Sequence, residues 1–252
     1  MTIDAPTAKH REALRALWQE AFGDTDAFLD SFEKSAFSPD RCRCITEGNK
    51  VLAALYWFDC ELKGKRIAYL YAIATAKSHR GCGLCRALME NTHAHLSARG
   101  YVGTLLVPSE PSLFAFYEKL GYRPHGFIGE LACRTSSETI ELRKIDTEEY
   151  AALRRKLLPE NGVLQENENL AFLATMADLY AGDDFLLAAR REETSLHGLE
   201  LLGNTEKAPA ILATLGCTVG NFRIQNGETP FAMYHPLAPK APIPTYLGLA
   251  FD

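Results

Sequence analysis

The chain has 252 residues, 47% of them hydrophobic, which is enough to bury a core in one large or two small domains without disulfide staples. Its 32 acidic and 27 basic residues give a net charge of −5 with no visible basic stripe, so nucleic acid is not an expected partner. Because no eighteen-residue apolar run and no signal-peptide pattern occur, we expect a cytoplasmic protein without membrane contact, its seven cysteines reduced.

Two amphipathic helices are predicted at the start of the chain. Residues 14–22 carry a one-sided apolar stripe at helical spacing, which is typical of a helix that packs on a core. Asp24 and Thr25 are positioned to cap a second helix, which carries Phe28, Leu29 and Phe32.

Three strands are predicted next. The strand-like runs 41–47 and 51–60 lie on either side of Gly48 and Asn49, a pattern that indicates a β-hairpin. Residues 67–75 form a further strand-like run that leads into a turn containing glycine.

The segment after this strand has the properties of an anion-binding loop. Gly81 and Gly83 allow phosphate oxygens to approach the main chain, and Arg80 and Arg86 add positive charge. A helix is predicted to begin here and to stop at Gly100, so unpaired N–H groups lie at the positive end of its dipole. The loop matches neither a Walker loop nor a dinucleotide fingerprint, because the required Gly-Lys-Ser/Thr and Gly-x-Gly-x-x-Gly patterns are absent.

A second segment follows at a fixed distance. Residues 102–107 predict a buried strand, residues 108–111 a turn, and residues 112–120 a short helix closed by Gly121. The string from 113 to 122 reads Leu-Phe-Ala-Phe-Tyr-Glu-Lys-Leu-Gly-Tyr.

Together these two segments resemble the GCN5-related N-acetyltransferases (GNAT), over residues 67–133. The pyrophosphate loop of that family is Gln/Arg-x-x-Gly-x-Gly/Ala, and Arg80 and Gly83 occupy its first and fourth places. Cys85 departs from the pattern, because the family has Gly or Ala there. The second string is similar to the family's Phe-Tyr-Glu-Lys-Leu-Gly-Phe helix, about thirty residues further on in both.

The resemblance implies acetyl-CoA as co-substrate and no metal. The residues implied at the pyrophosphate are Arg80, Gly81, Cys82, Gly83, Leu84, Cys85 and Arg86. Those implied beside the pantetheine are Ile73, Ala74 and Thr75. Tyr117 matches the family's tyrosine, which would protonate the departing CoA thiolate, although packing against Phe114 or Leu120 is an alternative role.

An amine acceptor, small or peptidic, is implied beside the two N-terminal helices, with Phe22, Phe28 and Phe32 as pocket candidates. A lysine-like amine is almost wholly protonated at neutral pH, so a base is needed. The candidate bases are Asp59, Glu61, Glu110, Tyr71 with a water chain, and a C-terminal carboxylate at Asp252.

Direct transfer in a ternary complex is the expected mechanism. An acetyl-cysteine at Cys82 or Cys85 is the alternative, because a helix N-terminus lowers the pKa of a thiol. By analogy with the family, however, these cysteines lie a full pantetheine length from the thioester. A Cys82-x-x-Cys85 redox pair, or a zinc site that adds Cys42 and Cys44, are further alternatives.

A polar stretch at 134–138 indicates a boundary, which divides the chain into domains 1–135 and 136–252. The second domain is predicted to begin with strand 139–143 and helix 147–158, which Asp146 is positioned to cap. The further predicted elements are helix 166–180, strands 185–189 and 196–202, helix 205–215, and strands 222–225, 231–236 and 246–251.

The second half repeats part of the first, in the order strand, turn, helix, glycine. At an offset of 95 residues the identical pairs are Leu106 and Leu201, Ala115 and Ala210, Leu120 and Leu215, and Gly121 and Gly216. No pyrophosphate loop follows residue 133, and Leu212 takes the place of Tyr117. We therefore expect a shortened, degenerate copy, with an unrelated α+β partner domain as the alternative.

The expected fold class is α/β (α+β), a mixed, mostly antiparallel sheet flanked by helices, present as an intact N-terminal and a shortened C-terminal acetyltransferase fold. The expected function is an N-acetyltransferase that acts on a primary amine; the alternative is a CoA-binding sensor or interaction module whose catalysis has lapsed. The second half is expected to shape the acceptor site or a subunit contact, which leaves a homodimer open.

Overall fold

A continuous sheet of twelve strands organises residues 1–251, the part of the chain that this computed structural model describes. The strands are β1 (Thr2–Asp4), β2 (Cys42–Glu47), β3 (Lys50–Leu62), β4 (Lys65–Thr75), β5 (Gly103–Leu106), β6 (Arg123–Arg134), β7 (Arg143–Lys144), β8 (Leu164–Gln165), β9 (Asp178–Ala181), β10 (Phe185–Glu192), β11 (Ser195–Gly203) and β12 (Val219–Pro236). The helices are α1 (Arg11–Phe22), α2 (Asp26–Ser35), α3 (Leu84–Ala98), α4 (Ser112–Glu118), α5 (Thr147–Leu157), α6 (Glu168–Leu173) and α7 (Ala208–Leu215).

The strand order is β1-β2-β3-β4-β5-β12-β11-β10-β9-β7, with β6 beside β12 and β8 beside β3. The pairs β4 with β5 and β11 with β12 are parallel, and the other ladders within residues 1–251 are antiparallel. The sheet is therefore mixed and mostly antiparallel, as the sequence predicts.

Helices cover both faces of the sheet. Successive residues of a strand point to opposite sides, so one strand contributes side chains to the core on each face. In β3, Tyr56 and Phe58 join the core beneath α1, α2, α5 and α6. Their neighbours Leu55 and Trp57 join the core beneath α3 and α4 on the other face. Two buried faces explain why β3 is an almost continuous apolar run rather than an alternating one.

Local sequence signals act where they were expected. The Thr25 side chain accepts the N–H of Phe28 at 3.3 Å and so caps α2. The Asp146 carboxylate accepts the N–H of Glu149 at 2.8 Å and caps α5 in the same way. The predictions of α1, α2, α5 and the β2–β3 hairpin are confirmed within a few residues.

One strand is shared by the two halves of the sheet. The first part of β12 runs parallel to β11, from Ser195↔Val219, and its last part runs antiparallel to β5, at Met233↔Leu106. The sequence predicts two separate strands here, whereas the structure joins them, because β6 pairs along β12 and bridges its irregular middle. The two predicted domains thus contribute to one sheet.

The prediction of a long helix at 166–180 is wrong. Helix α6 ends at Leu173, and β9 begins at Asp178. Strand β9 pairs with β10 on one side and with β7 on the other. Hydrogen bonding to two neighbouring strands outweighs the helical periodicity of the segment.

Two further strand predictions are corrected. The strand predicted at 139–143 is reduced to the two residues of β7. The segment predicted as a strand at 246–251 belongs to no strand over its described residues, apart from one bridge between Gly162 and Tyr246. Side chains rather than a ladder hold this segment in place.

Over residues 1–251, the helices are too short or too polar to cross a lipid bilayer.

Candidate functional site

A wedge opens in the sheet where β4 and β5 separate. The two strands pair in parallel at three positions only, from Ile67↔Gly103 to Tyr69↔Leu105. Beyond Tyr69 the other edge of β4 stays paired with β3, as far as Ala53↔Thr75, while β5 ends at Leu106, its other edge paired with β12. The edge of β4 that faces β5 has no ladder partner over 70–75 in the described chain, so its main-chain groups are available to a peptide-like ligand.

A bulge in β4 lies at this wedge. The register with β3 shifts between Ala54 and Tyr56, and Ala72 adopts a left-handed φ of +48°. In a regular strand Tyr71 and Ile73 would face the same side, but here Tyr71 packs toward α1 and α2 and Ile73 toward α3. A non-glycine residue held in this conformation is costly and occurs preferentially at functional sites.

The loop that follows β4 delivers the N-terminus of α3. Gly81 and Gly83 have φ values of +77° and +78°, and a Cβ on either would meet no atom within 4 Å. The space before their main chain is therefore open. Gly83 precedes α3 without any side-chain cap from the described residues, and the first N–H to bond back to it is that of Ala87, at 3.1 Å. The N–H groups of Leu84, Cys85 and Arg86 come before this bond and point out of the helix end.

Polar groups line the junction between the wedge and the loop. Arg80 is exposed, and its Nε donates to the carbonyl oxygen of Thr75 at 3.2 Å. The Thr75 hydroxyl is buried without a hydrogen-bond partner in the described residues, which makes it a donor awaiting an acceptor. Arg86 is also exposed, 3.8 Å from Glu90 on the next turn of α3. A ligand that spans the wedge and the loop would meet the two exposed arginines and pass close to the buried Thr75 hydroxyl.

Tyr117 lies on α4 in the core between that helix and the sheet, together with Cys85 and Leu106. Its ring contacts Phe116 and Tyr122, at centroid distances of 5.2 Å and 6.0 Å. Burial, reinforced by the nearby Cys85 thiol, raises the pKa of Tyr117 well above its usual range. The phenol therefore keeps its proton at neutral pH, as a proton donor must.

The two loop cysteines differ in their surroundings. Cys82 is exposed, and its thiol faces the carbonyl oxygen of Arg80 at 3.7 Å. Cys85 is half-buried, and burial raises the pKa of its thiol to about 11. This burial disfavours the alternative of an activated thiolate at Cys85, because desolvation raises the free energy of the charged form.

The acidic base candidates do not meet at the wedge. Asp59 lies on β3, and its carboxylate accepts a hydrogen bond from the Tyr101 hydroxyl on the α3 face of the sheet. Glu61 and Glu110 are exposed, the second in the turn before α4. Asp252 lies outside the described residues.

Tyr71, unlike the acidic candidates, lies at the wedge. It lies directly before the bulge at Ala72, at the open wedge, and its hydroxyl donates to the carbonyl oxygen of Phe251 at 2.7 Å. A residue 180 positions away thus reaches the N-terminal half of the chain. The main chain of the C-terminal segment is therefore part of the site's wall.

Aromatic rings fill the space under Tyr71. Of the predicted pocket residues, Phe32 is buried in the core, Phe28 is half-buried, and Phe22 is 44% exposed beside Trp18. Sequence reasoning missed Phe172, whose ring centroid lies 5.6 Å from that of Phe28, and Phe251, 6.0 Å from that of Tyr71. No local signal marks these two residues, because their contacts are all long-range.

Among residues 1–251 no group of three or more His, Cys, Asp or Glu side chains is arranged to hold a metal ion. The four-cysteine zinc alternative is therefore not formed by Cys42, Cys44, Cys82 and Cys85.

One family model matches the N-terminal part of the chain. Residues 2–125 match the family model described as an acetyltransferase (GNAT) domain. No curated protein sequence matches the chain.

Solved structures resemble the fold over most of the chain. A GCN5-related N-acetyltransferase from Kribbella flavida is 16% identical with a TM-score of 0.73, covering 94% of this chain and 72% of that one. Eis1 from Mycobacterium abscessus is 14% identical with a TM-score of 0.66, covering 94% and 74%. A putative acetyltransferase from Pyrococcus horikoshii is 11% identical with a TM-score of 0.65, covering 98% and 93%. At these identities the likeness shows the fold alone, and the match to the acetyltransferase (GNAT) domain model covers residues 2–125, just under half of the chain.

Proposed function

We propose that the protein transfers an acetyl group from acetyl-CoA to a primary amine, directly and within a ternary complex. The observation that carries the proposal is the continuity of the wedge between β4 and β5 with the open glycine loop at the start of α3. A ligand with amides at one end and a pyrophosphate at the other fits that sequence of groups. The acetyltransferase domain at 2–125 makes acetyl-CoA the ligand of choice.

In this proposal the pyrophosphate of acetyl-CoA lies against the main chain of 81–86, with Arg80 and Arg86 beside it. The pantetheine amides bond to the unpaired edge of β4 at Ile73, Ala74 and Thr75, as an added strand would. The buried Thr75 hydroxyl gains a partner in the same step. The thioester then lies in the wedge, near the bulge at Ala72.

We assign Tyr117 as the proton donor to the departing thiolate. The neutral amine adds to the thioester carbonyl, the C–S bond breaks, and the sulfur takes the proton of the Tyr117 phenol. The amine nitrogen loses one proton to solvent, and solvent returns a proton to the phenolate. A main-chain N–H at the wedge would stabilise the charge that develops on the carbonyl oxygen. The raised pKa of Tyr117 keeps its phenol protonated until the C–S bond breaks.

We assign Tyr71 to the acceptor side of the site. Its hydroxyl donates to the carbonyl of Phe251, and this fixes the direction of the phenol oxygen. That oxygen can accept a hydrogen bond from an amine that approaches from the α1 and α2 face. Such a contact orients the nucleophile, and it does not require Tyr71 to ionise.

We further propose that the second half is a shortened copy of the acetyltransferase fold without a nucleotide site. Strands β10 and β11 are antiparallel, and β12 returns parallel to β11 after α7, just as β5 returns parallel to β4 after α3. No Arg-x-x-Gly-x-Gly/Ala loop precedes α7. In this proposal the second half supplies the wall around Phe172 and Phe251.

The proposal is tested by incubating the protein with acetyl-CoA and a panel of primary amines, and measuring free CoA with a thiol reagent. We expect CoA release that depends on the amine and saturates with it. Acetyl-CoA binding without amine-dependent release would overturn the enzyme assignment and favour a CoA-binding module. A protein that does not bind acetyl-CoA would overturn both.

A further inference from the structure

A fully buried ion pair lies in the second half of the chain, away from the wedge. Arg154 on α5 and Glu200 on β11 are paired at two points, Nε to Oε2 at 2.7 Å and Nη2 to Oε1 at 2.9 Å. The hydroxyls of Tyr150 and Tyr246 donate to the same carboxylate, at 2.9 Å and 3.1 Å. The carboxylate therefore accepts four hydrogen bonds in the core.

Such a cluster needs an explanation beyond stability. Burying two charges costs several kcal/mol in desolvation, and well-packed apolar residues of similar size are often as stable. A buried ion pair is better justified where it fixes one arrangement of the chain. The remaining contacts of Arg154 show what is fixed, because Nη1 donates to the carbonyl of Val163 at 3.1 Å and Nη2 reaches Oε1 of Gln165 at 3.5 Å.

Gln165 in turn grips the C-terminal segment. Its Nε2 donates to the carbonyl of Leu249 at 2.6 Å, and its Oε1 accepts the N–H of Leu249 at 3.2 Å. One side-chain amide thus satisfies both main-chain groups of one residue, as a neighbouring strand would. The segment around Leu249 belongs to no strand, so this amide replaces a ladder.

Gly248 shows how closely the segment fits the cluster. A Cβ at this position would lie 1.8 Å from Oε1 of Glu200 and 2.5 Å from the hydroxyl of Tyr246. Only glycine allows the main chain to pass against the buried carboxylate. The ion pair, Gln165 and residues 246–249 therefore form one unit, which we call the C-terminal clamp.

The clamp ends two residues before the proposed reaction site. Phe251 lies two residues after Leu249, and its carbonyl oxygen accepts a hydrogen bond from the Tyr71 hydroxyl at 2.7 Å. Its ring centroid lies 4.7 Å from that of Phe58. Two extended residues span only about 7 Å, so a shift at Leu249 passes on to the contact with Tyr71.

We propose that Gln165 is a positioning residue for the acceptor side of the site. Held by Arg154, it sets Leu249 and so places the Phe251 carbonyl on the Tyr71 hydroxyl, which orients the amine. The inference rests on the proposed function in that it assigns Tyr71 to the acceptor. It gives the second half a defined task in the reaction that the first half catalyses.

The test compares Gln165→Met, which keeps the side chain's length without its amide, with Asn169→Leu. Asn169 is equally buried and bonds to the main chain of Asp59 at 2.8 Å, but it does not touch the clamp. For Gln165→Met we expect kcat/KM for the amine to fall by about tenfold or more, with KM for acetyl-CoA within about twofold. For Asn169→Leu we expect lower thermal stability with both kinetic constants near wild type.

A double-mutant cycle with Tyr71→Phe separates positioning from general weakening. If Gln165 acts through Tyr71, the double variant is no slower than the worse single variant. If the rate losses of the two single variants multiply in the double variant, the proposal is overturned. It is also overturned if Gln165→Met has the same kinetic constants and thermal stability as Asn169→Leu. If Gln165→Met does not fold, Gln165→Glu replaces it, since a carboxylate still accepts the Leu249 N–H but cannot donate to its carbonyl.

Hydrogen exchange gives a readout that does not depend on activity. Amide exchange of the peptide covering 246–251 should be faster in Gln165→Met than in wild type or Asn169→Leu. If wild type releases no CoA with any amine, the proposed function fails and exchange alone decides the clamp. If amide exchange of 246–251 in Gln165→Met then equals that of wild type, the proposed role of Gln165 in the C-terminal clamp is wrong.

Discussion

Tyr117 and Tyr122 lie 6.0 Å apart and differ in what their hydroxyls do. The Tyr122 hydroxyl bonds to His93 and to Thr104, both at 2.8 Å, and is fully buried. Tyr117 lies in the core next to the loop cysteine Cys85, with its proton retained by a raised pKa. The pair therefore offers a catalytic candidate and a structural control of the same residue type.

Tyr117→Phe should lower kcat by about 10²-fold or more, the usual scale for losing a positioned acid, with little change in KM for acetyl-CoA. Tyr122→Phe should instead lower the free energy of unfolding by about 1–2 kcal/mol, because it removes the hydrogen bonds to His93 and Thr104, and should spare kcat. Steady-state kinetics and urea unfolding check both. Equal kcat values for Tyr117→Phe and wild type would remove Tyr117 from the mechanism.

Direct transfer predicts that neither loop cysteine forms an acetyl intermediate, and the raised pKa of the Cys85 thiol, about 11, disfavours a thiolate at that position. Cys82→Ala and Cys85→Ala should each keep most of the rate, and initial-velocity lines for the two substrates should intersect. Parallel lines together with an inactive variant at either position would instead show a covalent step.

His93 provides a prediction about pH. Burial, with a smaller contribution from His235 stacked at 4.5 Å, lowers the pKa of His93 to about 3 from its usual 6.5. Between these two pH values the unfolded chain binds a proton that the folded chain does not, so stability is full above pH 6.5 and is lost as pH falls toward 3.

Because His93 is half-buried, we expect its contribution to fall by about 1–2 kcal/mol between pH 7.5 and pH 5. Urea unfolding at the two pH values measures this loss. His93→Gln should flatten the dependence. A loss of the same size in His93→Gln would assign the pH dependence to other groups.

At the scale of elements, the two ends of α3 provide a matched pair of glycines. Gly83 before the helix and Gly100 after it have φ values of +78° and +82°, and neither would bring an added Cβ within 4 Å of another atom. Alanine should strain both positions equally, by about 1 kcal/mol, because only the conformation is unfavourable. They differ in that Gly83 borders the proposed pyrophosphate site.

Gly83→Ala should therefore weaken acetyl-CoA binding by about tenfold, whereas Gly100→Ala should lose similar stability but bind normally. Calorimetric titration of the two variants measures the affinities, and thermal unfolding confirms the matched loss of stability. Equal affinities would place the pyrophosphate elsewhere.

At the scale of the whole molecule, β12 and the C-terminal segment tie the two halves into one sheet and one site. The first half holds the glycine loop and Tyr117, and the second half brings Phe172 and Phe251 against the aromatic rings of α2 and β4. We expect one reaction site per chain from this division of roles.

Titration of the full chain with acetyl-CoA should therefore saturate at one molecule per chain. The second half lacks both an Arg-x-x-Gly-x-Gly/Ala loop and a tyrosine at Leu212. Two equivalent sites in calorimetry would contradict its degenerate character.

The sequence by itself determined the parts of the protein that depend on neighbours along the chain. The order strand, glycine loop, helix at 67–100 follows from apolar periodicity and from glycines that tolerate positive φ, and the structure has it at β4 and α3. The caps at Thr25 and Asp146 are equally local. The roles of the loop residues and of Tyr117 remain predictions.

Only the tertiary structure decided what Tyr71 faces, where residues 246–251 run, and that β12 is one strand. These features join residues up to 180 positions apart, so no pattern in a short window contains them. Residues 178–181 illustrate the reason, because their place in the sheet depends on β10 and β7 rather than on their own periodicity. Gln165 likewise shows its importance only once Leu249 is folded against it.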